Sequence, residues 1–135
     1  MQLQILEVRS LGELDGAFAA MTRDRAGAVL IEASSMLAAN RARIADLAAK
    51  SRLPTIGWFG EMVDAGILMS YSPSLSEQYR RAAYFVDRIL RGAKPADLPV
   101  EQPTTFDFVI NLKTARAIGL TIPPSVLLQA NRVVE

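Results

Sequence analysis

The sequence contains no cysteine and no histidine, and these absences exclude several kinds of chemistry. Neither residue type occurs anywhere in the 135 residues. Without cysteine there can be no disulfide, no thiolate nucleophile and no zinc–sulfur site. Without histidine the chain lacks the commonest general base and the commonest metal ligand. We therefore predict that the protein is not an enzyme and that it has no catalytic residues, no metal site and no cofactor.

The sequence also lacks an excess of charge of one sign, and it lacks long hydrophobic runs. The chain carries 15 basic and 14 acidic residues, for a formal net charge of +1, whereas a dedicated nucleic-acid surface is strongly basic. No apolar run reaches the ~18 residues that a membrane span requires. The first residues lack the basic leader, the apolar centre and the cleavage site of a signal peptide. These features predict no nucleic-acid partner, no membrane span and, for a chain expressed alone, a cytoplasmic location.

Strand-like and helix-like segments alternate along the chain. A length of 135 residues suits one domain, 1–135. The alternation is typical of a doubly wound α/β fold with right-handed crossovers. A continuous apolar run at 28–31 indicates a strand that is buried on both faces, as in a parallel sheet. We predict a Rossmann-like unit, with a mostly parallel five-stranded sheet and helices on both faces, whose strands are residues 3–8, 28–31, 55–59, 67–71 and 106–110.

Residues 74–91 have the best defined helical pattern. A capping box formed by Ser74 and Glu77 marks the start of this helix. Its apolar residues repeat at helical spacing, but Tyr84 and Phe85 fall outside the main stripe. A helix that is apolar on more than one side cannot be covered by one small sheet. We therefore expect part of this helix to lie outside the core of the domain.

The sequence lacks the short motifs that usually identify an active site, so the candidate site is predicted from position. No glycine-rich phosphate loop, nucleophile elbow or calcium loop is present. In open α/β sheets, ligands bind at the carboxyl ends of the strands. Hydroxyls, backbone amides and aromatic rings at those ends suit a small polar or aromatic molecule. The candidate ligand-binding residues at these ends are Ser34, Ser35, Trp58, Phe59, Gly60 and Tyr71.

Structural interpretations of the same residues remain open at this point. Trp58 and Phe59 are as compatible with packing, in the core or in an interface, as with ligand binding. Ser34 and Ser35 are equally compatible with an ordinary loop, and Tyr71 with packing at the end of a strand. Residue identity alone does not decide between packing and binding at these positions.

Most of the chain resembles the C-terminal half of a known transport family. The residues that carry the resemblance are NRARIADLA (40–48), RLP (52–54), AGILMSY (65–71), YRRAA (79–83), VDRILRGAKP (86–95), LPVEQP (98–103), VINLKTA (109–115) and GLTIP (119–123). Together they resemble ABC-transporter substrate-binding proteins of the periplasmic-binding-protein type 1 class, in the branch described as tryptophan/tyrosine transport-like.

The resemblance implies a fold and a function. It implies a receptor of two Rossmann-like lobes, joined by crossing segments, that traps a solute between them and presents it to a membrane permease. The chain would be the second lobe with later crossings, and the family location would be the periplasm. The loops after the second and third strands and the crossing at Tyr71 would line the cleft. The sequence departs from relatives at residues 34–36 and 58–61, which leaves the ligand open: an amino acid or a similar small polar or aromatic solute is expected.

A second interpretation is a free-standing sensor or interaction domain. In the family, the helix at 74–91 resembles the one that returns to the first lobe, so its second apolar face would have no partner in this chain. Exposed apolar patches of this kind usually mark an interaction surface. The alternative therefore predicts a homodimer formed through the helix face at 74–91, with a small molecule as its ligand.

Overall fold

The computed structural model describes residues 2–135 as one five-stranded α/β sheet with helices around it. The sheet order is β1-β2-β3-β4-β5. Neighbouring strands are parallel except β3 and β4, which are antiparallel. The strands are β1 (Val29–Leu30), β2 (Thr55–Gly57), β3 (Met69–Pro73), β4 (Phe106–Asn111) and β5 (Arg132–Val134). The predicted fold class, with a mostly parallel five-stranded sheet, is confirmed.

Helices connect the strands and set the layers of the fold. They are α1 (Leu14–Arg23), α2 (Ser35–Ala39), α3 (Arg41–Lys50), α4 (Gly60–Asp64), α5 (Leu75–Leu90), α6 (Leu112–Ala117) and α7 (Pro124–Leu127). Short 3₁₀ turns lie at Leu11–Glu13 and Pro95–Asp97. One helical layer packs on β1 and β2 through Leu14 and Phe18 of α1 and Ile44 of α3, which share a core cluster with Val29 and Ile31. Burial of each such side chain contributes roughly 1.5–3 kcal/mol.

The predicted strand at residues 3–8 is wrong. Residues 2–9 form no helix or strand, and Leu3 and Ile5 are 73% and 79% exposed. Strand propensity is not sufficient here, because a strand is stable only when a neighbouring strand pairs with it. No strand of the described residues pairs with this segment. Met1, the first residue of the predicted domain, lies outside the described residues.

The fifth strand is instead β5, which the sequence analysis did not predict. It pairs in parallel with β4, with Val133 opposite Ile110. Its three residues carry no alternating pattern, and it follows α7 after a short turn. Strand formation here depends on the neighbouring β4 rather than on local sequence.

Two further expectations about burial and capping need correction. The apolar run at 28–31 is not buried on both faces, since Leu30 between the buried Val29 and Ile31 is 64% exposed. The capping box at the start of α5 does not form: the Ser74 hydroxyl pairs with that of Ser76 at 3.1 Å and makes no capping bond.

The helix α5 is the element least covered by the rest of the chain. None of its 16 residues is buried. Apolar side chains spaced along one stripe are exposed to solvent, at Leu75, Tyr79, Val86, Ile89 and Leu90. The prediction that one small sheet cannot cover this helix is confirmed.

Candidate functional site

The three strands that precede the predicted site residues are neighbours in the sheet. Because β1, β2 and β3 run parallel, their carboxyl ends all lie at the same edge of the sheet. Ser34 and Ser35 lie at the start of α2, Phe59 and Gly60 at the start of α4, and Tyr71 within β3. The topology therefore brings the predicted residues to one edge, although they are separated in sequence.

The two serines provide hydroxyl groups at this edge. Ser34 has an extended backbone, and its carbonyl accepts a hydrogen bond from the amide of Ala38 at 2.9 Å. Its side chain is half-buried and makes no capping bond. Ser35 is the exposed first residue of α2. The backbone of this turn is thus satisfied by the helix, while the hydroxyls are not used to cap it.

Trp58 and Phe59 are half-buried and pack against the core. Their ring centroids are 4.3 Å apart at an interplanar angle of 70°, a favourable edge-to-face arrangement. Both rings contact the core cluster beneath α1 and α3. The indole Nε1 of Trp58 is buried and has no hydrogen-bond partner among the described residues. A buried indole N–H normally has an acceptor, so this nitrogen is an unsatisfied donor that lies beneath the surface.

Gly60 is held by an ion pair between distant parts of the sequence, which the sequence analysis did not predict. Arg132 on β5 donates to both carboxylate oxygens of Asp64, at 2.6 and 3.1 Å, and to the Gly60 carbonyl at 3.4 Å. A Cβ atom on Gly60 would lie 3.2 Å from the Arg132 Nη2 atom. The hydrogen bond with Asp64 raises the pKa of Arg132 further above its ordinary value. These contacts fix α4 against β5, across 68 residues of sequence.

Tyr71 forms an aromatic platform with two residues that the sequence analysis did not select. Tyr71 is 56% exposed. Its ring stacks on Phe106, with centroids 5.3 Å apart and planes within 4°, and meets Phe108 edge-to-face at 6.0 Å. The arrangement follows from the antiparallel β3–β4 pair, which places Tyr71 opposite Phe108. We call Tyr71, Phe106 and Phe108 the aromatic platform.

The spacing of the two phenylalanines is a local signal in the sequence, but it indicates contact with Tyr71 only when the pairing of β3 with β4 is known. Phe106 and Phe108 are two residues apart, so they point to the same face of β4. Cross-strand partners also share a face, which puts Tyr71 on that face. The sequence indicates a strand at 106–110, but the antiparallel pairing with β3 is a property of the whole fold.

A groove of about 850 Å³ lies elsewhere, between α5 and residues 101–105. Arg81 donates to both carboxylate oxygens of Glu101 across this groove. The hydrogen bond from Arg81 lowers the pKa of Glu101 below its ordinary value. The Arg81 guanidinium also lies 4.0 Å from the ring centroid of Tyr84, within cation–π distance. None of the predicted site residues lines this groove, so it is distinct from the edge that carries the aromatic platform.

The described residues show neither a metal site nor a membrane span. Within residues 2–135, no group of three or more acidic side chains is arranged to hold a metal ion. No helix in the same range is long and apolar enough to cross a membrane.

Comparison with a family model gives a match over nearly the whole chain. The model described as ABC transporter substrate binding protein matches residues 1–134. A search of curated proteins gives no match.

Solved structures share this fold. A Streptococcus pneumoniae ABC domain in complex with L-Trp is similar with a TM-score of 0.81 and 30% identity, over 94% of this chain and 44% of that chain. A conserved domain protein from Vibrio cholerae gives 0.80 and 24%, over 90% and 41%. The ligand-free, open structure of CD0873, a substrate-binding protein with adhesive properties from Clostridium difficile, gives 0.70 and 16%, over 95% and 42%. The chain spans less than half of the length of each of these proteins.

Proposed function

Because the chain belongs to the family of ABC transporter substrate-binding proteins, whose model matches residues 1–134, we propose that it forms one wall of a solute-binding cleft. The solute is an amino acid or a similar small molecule with an aromatic group. The single observation that carries this proposal is the aromatic platform, which lies at the edge of the sheet where α/β proteins bind ligands. The residues of the cleft wall are Ser34, Ser35, Trp58, Phe59, Gly60, Tyr71 and Phe106.

The chemistry of these residues supports an aromatic solute with polar groups. A ring that stacks on Tyr71 or Phe106 gains roughly 0.5–1.5 kcal/mol beyond the burial of its surface. The hydroxyls of Ser34 and Ser35 can hydrogen-bond a carboxylate or a carbonyl. The similar Streptococcus pneumoniae domain is in complex with L-Trp, which supports the choice of an aromatic amino acid. No step of this proposal requires a covalent change in the solute, in agreement with the absence of histidine and cysteine.

In this proposal the chain, residues 1–135, is one lobe of a two-lobed receptor. The second wall of the cleft comes from a lobe that is not part of this sequence, and the closed receptor delivers its solute to an ABC permease in the membrane. The working location is then the periplasm or the cell exterior. The coverage of 41–44% of the similar solved structures supports a single lobe.

The proposal predicts where L-tryptophan perturbs the chain. In a ¹H–¹⁵N titration with millimolar L-tryptophan, we expect the largest shift changes at Tyr71 and Phe106. Tyr71→Leu should weaken the apparent affinity roughly 3- to 10-fold, because one stacking partner is lost. Tyr84→Leu is the matched control, since Tyr84 is an exposed tyrosine on α5. Shift changes centred on the groove beside Arg81, with Tyr71 unaffected, would contradict the proposal.

A second candidate function, a dimeric small-molecule sensor, is favoured by the exposed stripe on α5. This stripe is exposed in the chain, and it would be covered by a first lobe in a receptor or by a second copy in a homodimer.

We expect the chain at high concentration to dimerise through this face. Val86→Asp should shift the molar mass from dimer to monomer in light scattering, because it places a charge in an apolar contact. Leu128→Asp, at a more exposed apolar position outside α5, should leave the dimer intact. A wild-type chain that stays monomeric would exclude this candidate.

A further inference from the structure

Exposed basic residues gather at the amino-terminal ends of the parallel strands. Arg25 lies in the turn before β1, while Lys50 ends α3 and Arg52 lies between α3 and β2. Because β4 runs antiparallel to β3, it finishes at this same end of the sheet, where Lys113 and Arg116 follow on α6. All five residues are exposed. We call this end of the sheet, opposite the candidate site, the basic end.

The turns that carry these residues lie side by side. β1 and β2 are paired neighbours, so the turns of Arg25 and Arg52 are adjacent. The Thr114 hydroxyl donates to the Gly66 carbonyl at 2.9 Å, which joins α6 to the turn before β3. Adjacent strands are about 4.8 Å apart, so the basic end extends roughly 15 Å from β1 to β4. The screening length at physiological salt is about 8 Å, and neighbouring charges at this end therefore act together.

Few carboxylates neutralise the basic end. Among the described residues, none of its five basic side chains forms an ion pair, whereas seven other basic side chains do. Asp24 pairs with Arg23 at 2.9 Å, Asp46 lies one turn before Lys50, and Glu135 follows β5. Six basic and three acidic residues thus meet here, in a chain whose net charge is only +1.

Two of the basic residues occupy strained backbone positions. Arg25 and Arg52 have φ angles of 57° and 51°, in the left-handed region that favours glycine. Both turns are closed by an amide that donates to the carbonyl five residues earlier, at 2.8 Å for Ala26 and 3.0 Å for Leu53. Glycine normally occupies the position that precedes this amide. Strain of this kind is retained at functional positions, and here both positions carry an arginine.

We propose that the basic end docks on the surface of an anionic lipid bilayer. Its five basic side chains would lie among the lipid phosphates. The candidate site, at the other end of the strands, would then face away from the bilayer. This docking does not depend on whether the candidate site binds a solute.

The shape and the charge of the basic end favour a bilayer over other anionic partners. None of its five basic residues lines the groove beside Arg81 or the smaller groove between α3 and α4, so a small anion would not be enclosed. A nucleic-acid surface is strongly basic, whereas the net charge of this chain is +1. Long basic side chains on adjacent turns suit a plane of lipid headgroups, which attracts each lysine or arginine near it.

Sedimentation with large unilamellar vesicles tests the proposal. One set of vesicles contains equal parts of phosphatidylglycerol and phosphatidylcholine, and the other contains phosphatidylcholine alone. The test variant is Arg25→Gly with Arg52→Gly, which removes two charges and should stay folded, because glycine suits both backbone positions. A second variant, Arg25→Lys with Arg52→Lys, keeps the charges. The matched control is Arg88→Gln with Lys94→Gln, two exposed basic residues on and after α5 that also have no carboxylate partner among the described residues.

We expect the chain to bind the anionic vesicles at low salt, to leave them as salt is added, and not to bind phosphatidylcholine. Each basic residue near the surface contributes about fivefold, so the glycine variant should bind roughly 20-fold more weakly. The lysine variant and the α5 control should bind as tightly as the unchanged chain. Trp58, the only tryptophan, follows β2 at the other end of the strands, so a headgroup quencher should leave its fluorescence unchanged.

Three results would overturn the proposal. The first is the absence of binding to the anionic vesicles, or equal binding by the glycine variant and the unchanged chain. The second is quenching of Trp58 by the headgroup quencher, which would place the opposite end of the strands on the bilayer. The third is tighter binding to a DNA duplex than to the anionic vesicles, which would make a nucleic acid the partner of the basic end.

Discussion

Titration of this chain with L-tryptophan is expected to give a dissociation constant in the millimolar range or no measurable heat. The chain supplies one wall of the proposed cleft, and the aromatic platform is open to solvent, with Tyr71 56% exposed. If two lobes share the contacts equally, a micromolar complex of about −8 kcal/mol leaves roughly −4 kcal/mol for one lobe, which is millimolar. The expected loss is therefore about a thousandfold relative to a two-lobed receptor.

Isothermal calorimetry on the monomeric chain, followed by the same titration after fusion to the first lobe of a two-lobed relative, tests this expectation. The fusion should recover binding in the micromolar range, because the solute is then enclosed on both sides. Tyr71→Ala in the fusion should lose affinity, whereas Leu128→Ala, at an exposed position away from the platform, should not. Micromolar binding by the chain alone would show that one lobe is sufficient and would contradict the proposed division of the cleft.

Much of the fold could be predicted from local sequence because its inner strands are apolar and bounded by turns. β2, β3 and β4 all lie at positions with a strand pattern, and Leu14 and Phe18 of α1 reach the core as their spacing indicates. The two failures share one physical cause. Residues 3–8 have strand propensity but no neighbouring strand among the described residues, and β5 is too short to show a strand pattern but pairs with β4. Strand formation is decided by the neighbour, which local sequence does not specify.

The candidate site also combines features that local sequence predicts with features that depend on the assembled sheet. The α/β pattern predicts the placement of Ser34 and Gly60 after neighbouring strands. It also predicts Tyr71 at the end of a strand, whereas the structure places Tyr71 in the middle of β3. The stacking of Phe106 on Tyr71 depends on antiparallel pairing between β3 and β4. The Arg132–Asp64 ion pair joins residues 68 positions apart. Contacts of that range arise only once the strands are assembled.

Replacement of Asn111 by alanine is expected to cost the largest amount of stability of any single polar change. Asn111 is buried at the end of β4. Its side-chain amide donates to the Val63 carbonyl at 3.0 Å, and its side-chain oxygen accepts from the Thr114 amide at 2.9 Å. Loss of the helix cap on α6 costs about 1 kcal/mol. The Val63 carbonyl keeps its hydrogen bond from the Gly66 amide at 3.0 Å, so loss of the bond from Asn111 costs a further 0.5–1.5 kcal/mol or so, the net value of one hydrogen bond. Asn111→Ala should therefore lower the free energy of unfolding by roughly 1.5–2.5 kcal/mol.

Urea denaturation with two companion variants separates these contributions. Asn131 is the matched control, because its side chain also accepts a backbone hydrogen bond, from the Phe108 amide at 2.7 Å, but at an exposed position. Asn131→Ala should cost about 0.5–1.5 kcal/mol, the net value of one hydrogen bond. Asn111→Asp keeps the acceptor for Thr114 but loses the donor to Val63, so it should remain strongly destabilised. Equal losses for Asn111→Ala and Asn131→Ala would mean that Asn111 acts only as a helix cap. A larger loss at Asn111 means that this side chain joins β4, which carries Phe106 and Phe108, to α4 beside Gly60, and so holds together the parts of the cleft wall.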